Sequence, residues 1–130
     1  MNLPCEIAVK SVVPAIRAFL ARELVENYKL RQTEAAELLA ITQTAVSKYT
    51  HYVRGNILPI EQEDEVRKRI METAASLANG NLNYAALSLQ ICSTCKLVRK
   101  KKLMCELCKS ANSNLELEEC NICASSSCQP

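Results

Sequence analysis

A chain of 130 residues has room for one ordinary domain, or a small domain and a minidomain, which excludes any large catalytic architecture. Its net charge of +2 is not that of a nonspecific nucleic-acid coat, so any nucleic-acid binding must rest on local placement of charge and on specific contacts. Aromatic residues make up 4% of the chain and Ala and Leu dominate the apolar set, which predicts closely packed helices rather than an aromatic-rich β core.

From the N-terminus, residues 1–7 include Pro4, Cys5 and Glu6 and no apolar run long enough to span a membrane or be cleaved. A cytoplasmic location and no membrane partner are therefore expected. A reducing cytosol turns the eight cysteines into candidate metal ligands rather than disulfide partners. Cys5, alone on a helical domain, reads as a small buried apolar residue, with an extra ligand or redox partner as the alternative. The first predicted helix has Pro14 in its first turn and runs to about Tyr28. Ile16, Phe19, Leu20 and Leu24 share one face of it, with Arg17, Arg22 and Glu26 on the other.

Residues 30–54, LRQTEAAELLAITQTAVSKYTHYVR, carry the spacing of two helices joined by a tight turn. Ala36 is the small residue where the helices would cross, Val46 packs against it ten positions later, and Leu38, Leu39 and Tyr49 complete the interior. Ile41 closes the turn and Thr42 caps the second helix. That helix then presents Gln43, Thr44, Ser47, Lys48 and His51, residue types able to hydrogen-bond base edges or phosphates.

This segment resembles the helix-turn-helix of lambda-repressor-like (XRE-type) regulators, in which a Gln opens each of the two helices, as Gln32 and Gln43 do here. The resemblance implies double-stranded DNA as partner, with Gln43 reading a base and Gln32 supporting it or holding a phosphate. A Gln amide can pair in bidentate fashion with the N6 and N7 edge of adenine. The expected DNA-binding set is Gln32, Thr42, Gln43, Thr44, Ser47, Lys48, His51 and Arg54. Two positions depart from the family. Ala40 stands where Gly is usual in the turn, so the backbone must avoid strongly positive φ or accept strain, and Arg31 stands where a Ser or Thr cap is common. The plainer alternative is an ordinary helical hairpin, or a protein-binding use of the same fold.

Gly55, Asn56 and Pro59 break regular structure in residues 54–59, and Gly55 directly after Arg54 resembles the family's loop after the recognition helix. Residues 61–79 predict a strong helix: Glu61, Glu63, Asp64 and Glu65 crowd its start and Gly80 stands past its end. Val66, Ile70, Ala74 and Leu77 form one apolar stripe, which closes the bundle core, supports a homodimer, or does both. Residues 83–90 read as a further short helix with Tyr84, Leu87 and Ile91 on one side.

From Ile91 the composition changes. Cys92/Cys95, Cys105/Cys108 and Cys120/Cys123 are three CxxC pairs, followed by Cys128 near the terminus, which is not expected to be a ligand. CxxC brings two sulfurs to one metal, and two such pairs complete a tetrahedral thiolate site. With few apolar residues to bury, this segment is expected to depend on ligation for folding. Zinc and an iron–sulfur cluster, 4Fe-4S above all, both accept four thiolates; short loops between pairs and a ligand set without His favour the cluster. The basic run 99–102 reads as a solvated loop, with a phosphate contact as the alternative.

Pro4-Cys5-Glu6, Pro14-Ala15-Ile16-Arg17, the XRE-type motif and the cysteine pairs together resemble a family of small archaeal transcriptional regulators over nearly the full chain. The resemblance implies a mainly α fold: a lambda-repressor-like helix-turn-helix bundle with its long helix in residues 1–80, then a connecting helix and cysteine-rich metal-binding minidomain in residues 81–130. The implied function is a sequence-specific DNA-binding regulator, a homodimer, whose cysteine-ligated iron–sulfur cluster senses oxygen or redox state. A zinc-stabilised regulator or protein-binding adaptor is the alternative. An enzyme is not expected, since His51 is the only histidine and no nucleophile–base pair or phosphate loop is present.

Overall fold

In a computed structural model of the chain the described residues are 4–51, 60–101 and 103, with the backbone alone for Pro4 and Cys5. Among them the order is α1 (Pro4–Lys10), α2 (Val12–Glu26), α3 (Gln32–Leu39), α4 (Gln43–Thr50), a 3-10 turn (Ile60–Gln62), α5 (Asp64–Ala78) and α6 (Tyr84–Lys100). The fold is mainly α, as the composition predicts. No helix among the described residues is long and apolar enough to cross a membrane. The alternatives weighed for Cys5 concern a side chain outside the described set.

Pro14 determines where the first helical segment breaks. It has no N–H to offer the Lys10 carbonyl four residues back, and its ring crowds that carbonyl, so a continuous helix from Pro4 cannot pass. The chain turns at Ser11 instead, whose hydroxyl donates to the Ile7 carbonyl at 2.7 Å, and restarts as α2 with Pro14 in the first turn.

α2 is the central helix and packs against α1, α3, α4, α5, α6 and the 3-10 turn. Ala15, Ala18 and Ala21 let neighbours approach closely, while Val12, Ile16, Phe19, Leu20 and Leu24 fill the core. The sequence places Arg22 on an outer face with Arg17 and Glu26, but Arg22 is buried, at 7% exposure. A 3.6-residue period marks one packed face; a helix enclosed by five others has several.

The acidic stretch predicted as the start of one helix divides into the 3-10 turn and α5, which begins at Asp64 rather than Glu61. Gly80 ends α5 at φ 74°, with Gly80 N–H on the Leu77 carbonyl at 3.0 Å and Asn81 N–H on the Ser76 carbonyl at 2.9 Å, a left-handed cap that favours glycine. Val66, Ile70, Ala74 and Leu77 are all fully enclosed within this one chain. Of the two uses expected for that stripe, the structure assigns it to the bundle core, and no apolar surface remains on it for a second copy.

The helix expected over residues 83–90 is the start of a longer one. Asn83 caps α6 through its side-chain oxygen, which accepts from Ala86 N–H at 2.8 Å, and the helix continues to Lys100. Leu87, Thr94, Cys95 and Val98 are buried and Ile91 packs beside them, one stripe at helical spacing against α2 and α5. Arg69 of α5 secures the pair by donating to the Ser93 hydroxyl at 2.8 Å. Residues 99–101 are therefore the end of a helix and not a solvated loop: Arg99 is buried, and Lys101 reaches back to Glu63 at 3.2 Å and Glu65 at 3.7 Å. The Glu63 hydrogen bond, opposed by a smaller desolvation and helped by both carboxylate charges, raises the Lys101 pKa above the ordinary lysine value.

Ile70→Ala should lower the free energy of unfolding by about 2–5 kcal/mol, as deletion of a fully buried aliphatic side chain does. Urea denaturation followed by circular dichroism measures this, and light scattering should record the wild-type mass while the variant is folded.

Candidate nucleic-acid interface

α3 and α4 are short helices, joined by residues 40–42 and held against α2 from one side. Ala35, Ala36 and Leu39 of α3 and Val46 and Tyr49 of α4 are buried, with Leu38 and Ile41 packed at the margin. The small residue, its β-branched partner and the aromatic thus occupy the interior that their spacing predicts.

The turn resolves the question posed by Ala40. Its backbone is left-handed, φ 56° and ψ 41°. Ala40 N–H donates to the Glu37 carbonyl at 3.2 Å and Ile41 N–H to the Ala36 carbonyl at 3.0 Å, the crossed pair that closes a helix end. Of the two possibilities the chain accepts the strain, because two capped carbonyls and the seating of Ile41 depend on that conformation. Thr42 then caps α4, its Oγ1 accepting from Ala45 N–H at 3.1 Å.

At the start of α3, Arg31 takes the cap position with extended backbone. Its guanidinium has no acceptor for the helix N–H groups, so the bonding runs the other way, and the Glu34 carboxylate accepts from Arg31 N–H at 3.3 Å. The Arg31 side chain itself is 87% exposed. It stands beside Gln32 on the outer rim, a cation that sequence reading considered only as a poor cap.

Thr42, Gln43, Thr44 and His51 are exposed, while Ser47, Lys48 and Gln32 are half-buried. Gln43 and Thr44 of α4 therefore lie away from its packed side, and Ser47 and Lys48 border it. His51 N–H and ring Nδ1 both approach the Ser47 carbonyl, at 3.1 and 2.7 Å. A carbonyl only accepts, so Nδ1 donates, and the bond fixes the ring at the end of α4. Arg54, the last of the expected contacts, lies outside the described residues.

The far end of α4 is held by an interaction that sequence reading missed. Arg22 Nη1 donates to the Tyr49 carbonyl at 3.3 Å, one of the four that an α-helix leaves unsatisfied at its C-terminus. Its Nη2 makes a short charged hydrogen bond to Glu61 in the 3-10 turn. One guanidinium thus joins α2, α4 and the segment that follows residues 52–59. The only sequence signal for it was an arginine within a run otherwise rich in apolar residues.

Of the six expected metal ligands, Cys92 and Cys95 are described, and both sit on α6 three residues apart. The expected turn that curls around a metal is absent there, because helix runs through both; Cys92 is half-buried and Cys95 lines the core. Two thiols on one helical turn would supply at most half of a four-thiolate set, and among the described residues no group of three or more His, Cys, Asp or Glu could hold a metal ion. Cys105, Cys108, Cys120 and Cys123, with Cys128, lie outside the described residues. Comparison of the chain with family models, with curated proteins and with solved structures found no match.

Ala40→Gly should raise stability by about 0.5–1 kcal/mol, since removing Cβ relieves a left-handed backbone that alanine tolerates poorly. Thr42→Ala should lower it by about 1 kcal/mol through loss of the cap. Thermal unfolding of the two variants checks both signs.

Proposed function

We propose that this chain is a sequence-specific DNA-binding transcriptional regulator that uses α3 and α4 as a helix-turn-helix. The observation that carries the reading is the division of α4 into a buried side, Val46 and Tyr49, and exposed Gln43 and Thr44 at its start, with half-buried Ser47 and Lys48 between and exposed His51 at its end. A helix of this size fits the major groove of B-DNA, about 12 Å wide, where Gln43 at its N-terminal end meets base edges and Lys48 meets phosphate. Gln32 and Arg31, at the start of α3, meet the flanking backbone, and Arg54 completes the proposed contact set. Because a single short unit buries little surface, the active species is a homodimer on half-sites about 34 Å apart. Its interface lies elsewhere than the α5 stripe, which the core consumes.

The cysteine pairs are proposed to hold an iron–sulfur cluster, 4Fe-4S, through which operator affinity responds to oxygen or redox state, with a structural zinc as the alternative occupant. Such a cluster supplies one-electron redox chemistry. Cys92 and the more enclosed Cys95 would provide two thiolates from α6, and a second pair among Cys105, Cys108, Cys120 and Cys123 the others. α6 keeps its helix without help from a ligand, since Leu87, Ile91 and Val98 anchor it in the core.

Gln43→Ala should weaken binding to a selected operator by about 1–3 kcal/mol and relax preference at one base pair, whereas Lys48→Ala should weaken binding to all duplexes and flatten the salt dependence. Fluorescence anisotropy at several salt concentrations reads both; unchanged affinity and preference for Gln43→Ala would refute the assigned face. Anaerobically purified protein should absorb near about 400 nm if a cluster is bound, and zinc should leave that region blank. The double variant Cys92→Ala, Cys95→Ala should lose the absorption and keep its helical circular dichroism.

A further inference from the structure

Arg22 is a buried cation that bonds two elements supporting the α3–α4 unit: the last turn of α4 and the 3-10 turn. Its side chain is 8% exposed and that of Glu61 is 47% exposed, so the ion pair spans from the core to solvent. A buried charge is a costly way to fill a core position, and an apolar side chain of similar volume is often as stable or more so. What an apolar residue would not supply is direction. A guanidinium has a planar fork with fixed donor angles, so two bonds from one fork define the relation of three elements.

The position of those bonds is selective. α4 is held at its N-terminus by the Thr42 cap and along its inner side by Val46, buried in the same core as Ala36, close to residues proposed to read bases. At its other end, the Tyr49 carbonyl of α4 and the Glu61 carboxylate of the 3-10 turn are both bonded by one side chain. That side chain is Arg22 of α2. Loss of the fork would remove this tie at the end of α4 and leave it freer to rock on its buried side.

We propose that Arg22, with Glu61 as its counter-ion, is the positioning residue that sets the tilt of α4 on α2, and thereby the discrimination of the DNA-binding face. The second half rests on the function proposed above; the first does not. Arg22→Met keeps the volume and removes the fork, Glu61→Gln keeps an acceptor for it, and Leu77→Ala weakens the core at the opposite side without touching it.

Hydrogen exchange gives the DNA-independent measurement. In folded Arg22→Met the amides of residues 46–50 should exchange at least about tenfold faster while those of α5 and α6 change little, and in Leu77→Ala the rise should not concentrate in α4. Uniform exchange across all helices in Arg22→Met, or none, would overturn the positioning role. The binding measurement uses a 20-base-pair duplex selected by the wild-type protein from a random pool and a scrambled duplex of equal composition. Arg22→Met should lose at least about tenfold of the affinity ratio between the two, with Glu61→Gln and Leu77→Ala keeping it within about threefold. Should Arg22→Met fail to fold, Arg22→Lys retains the charge without the planar fork and should show the same two losses. A localised rise in exchange with an unchanged affinity ratio would overturn the link to discrimination, and a wild-type protein that selects no duplex would overturn the DNA-binding reading while the exchange result still decides the clamp.

Discussion

Every other helix among the described residues touches α2, and that single constraint organises the molecule. A helix surrounded on several sides must be small where neighbours cross it and large where they diverge, which is the pattern of Ala15, Ala18 and Ala21 among Ile16, Leu20 and Leu24. Close approach leaves no water to solvate a polar group. Arg22 is admitted to this setting because its bonds to Tyr49 and Glu61 each answer a need already present: an orphan carbonyl at the end of α4, and a carboxylate in the turn that follows. Core and polar clamp are thus parts of one solution.

The same packing logic governs the cysteines. Cys95 occupies a stripe position between Ile91 and Val98, where a small soft side chain fits a helical core, and Cys92, half-buried on the same helical turn, sits beside Ser93, which is tied to Arg69. Thiols placed in this way take their positions from the packing of α6. That changes the role a metal would take: it would join the remaining cysteines to an existing helix, whereas the spacing alone suggested a segment that folds only by ligation. Lys101 brings the end of α6 to Glu63, two residues from the Glu61 that holds Arg22, so the root of the cysteine segment and the support of α4 meet at one short acidic stretch.

The α3–α4 unit also shows where local rules yield to assembly. Alanine in a left-handed turn and arginine at a helix cap each break a local preference, and each is compensated nearby, by the crossed carbonyl bonds after α3 and by Glu34. Much of the outward side of α4 carries no such compromise; its exposed residues are not required by the packing. It is on these side chains, spared from structural duty on a helix fixed at both ends, that the proposed reading surface rests.

The amino-acid sequence by itself determined the helical class, the approximate limits of α2 and α5, the interior residues Ala36, Leu39, Val46 and Tyr49, the Thr42 cap and the Gly80 stop, because each follows from periodicity or from the bonding capacity of one residue type. It also marked the outward residues of α4, since they are what the buried positions leave over. Tertiary structure alone decided the rest. Burial of Arg22 depends on which elements converge around α2, a fact no 3.6-residue period contains. Assignment of the α5 stripe to the core required seeing what fills the space opposite it. The continuation of α6 through Cys92 and Cys95 was present as the spacing of Leu87, Ile91, Cys95 and Val98, but the same letters also spell CxxC, and only packing against α2 and α5 shows which pattern the backbone obeys.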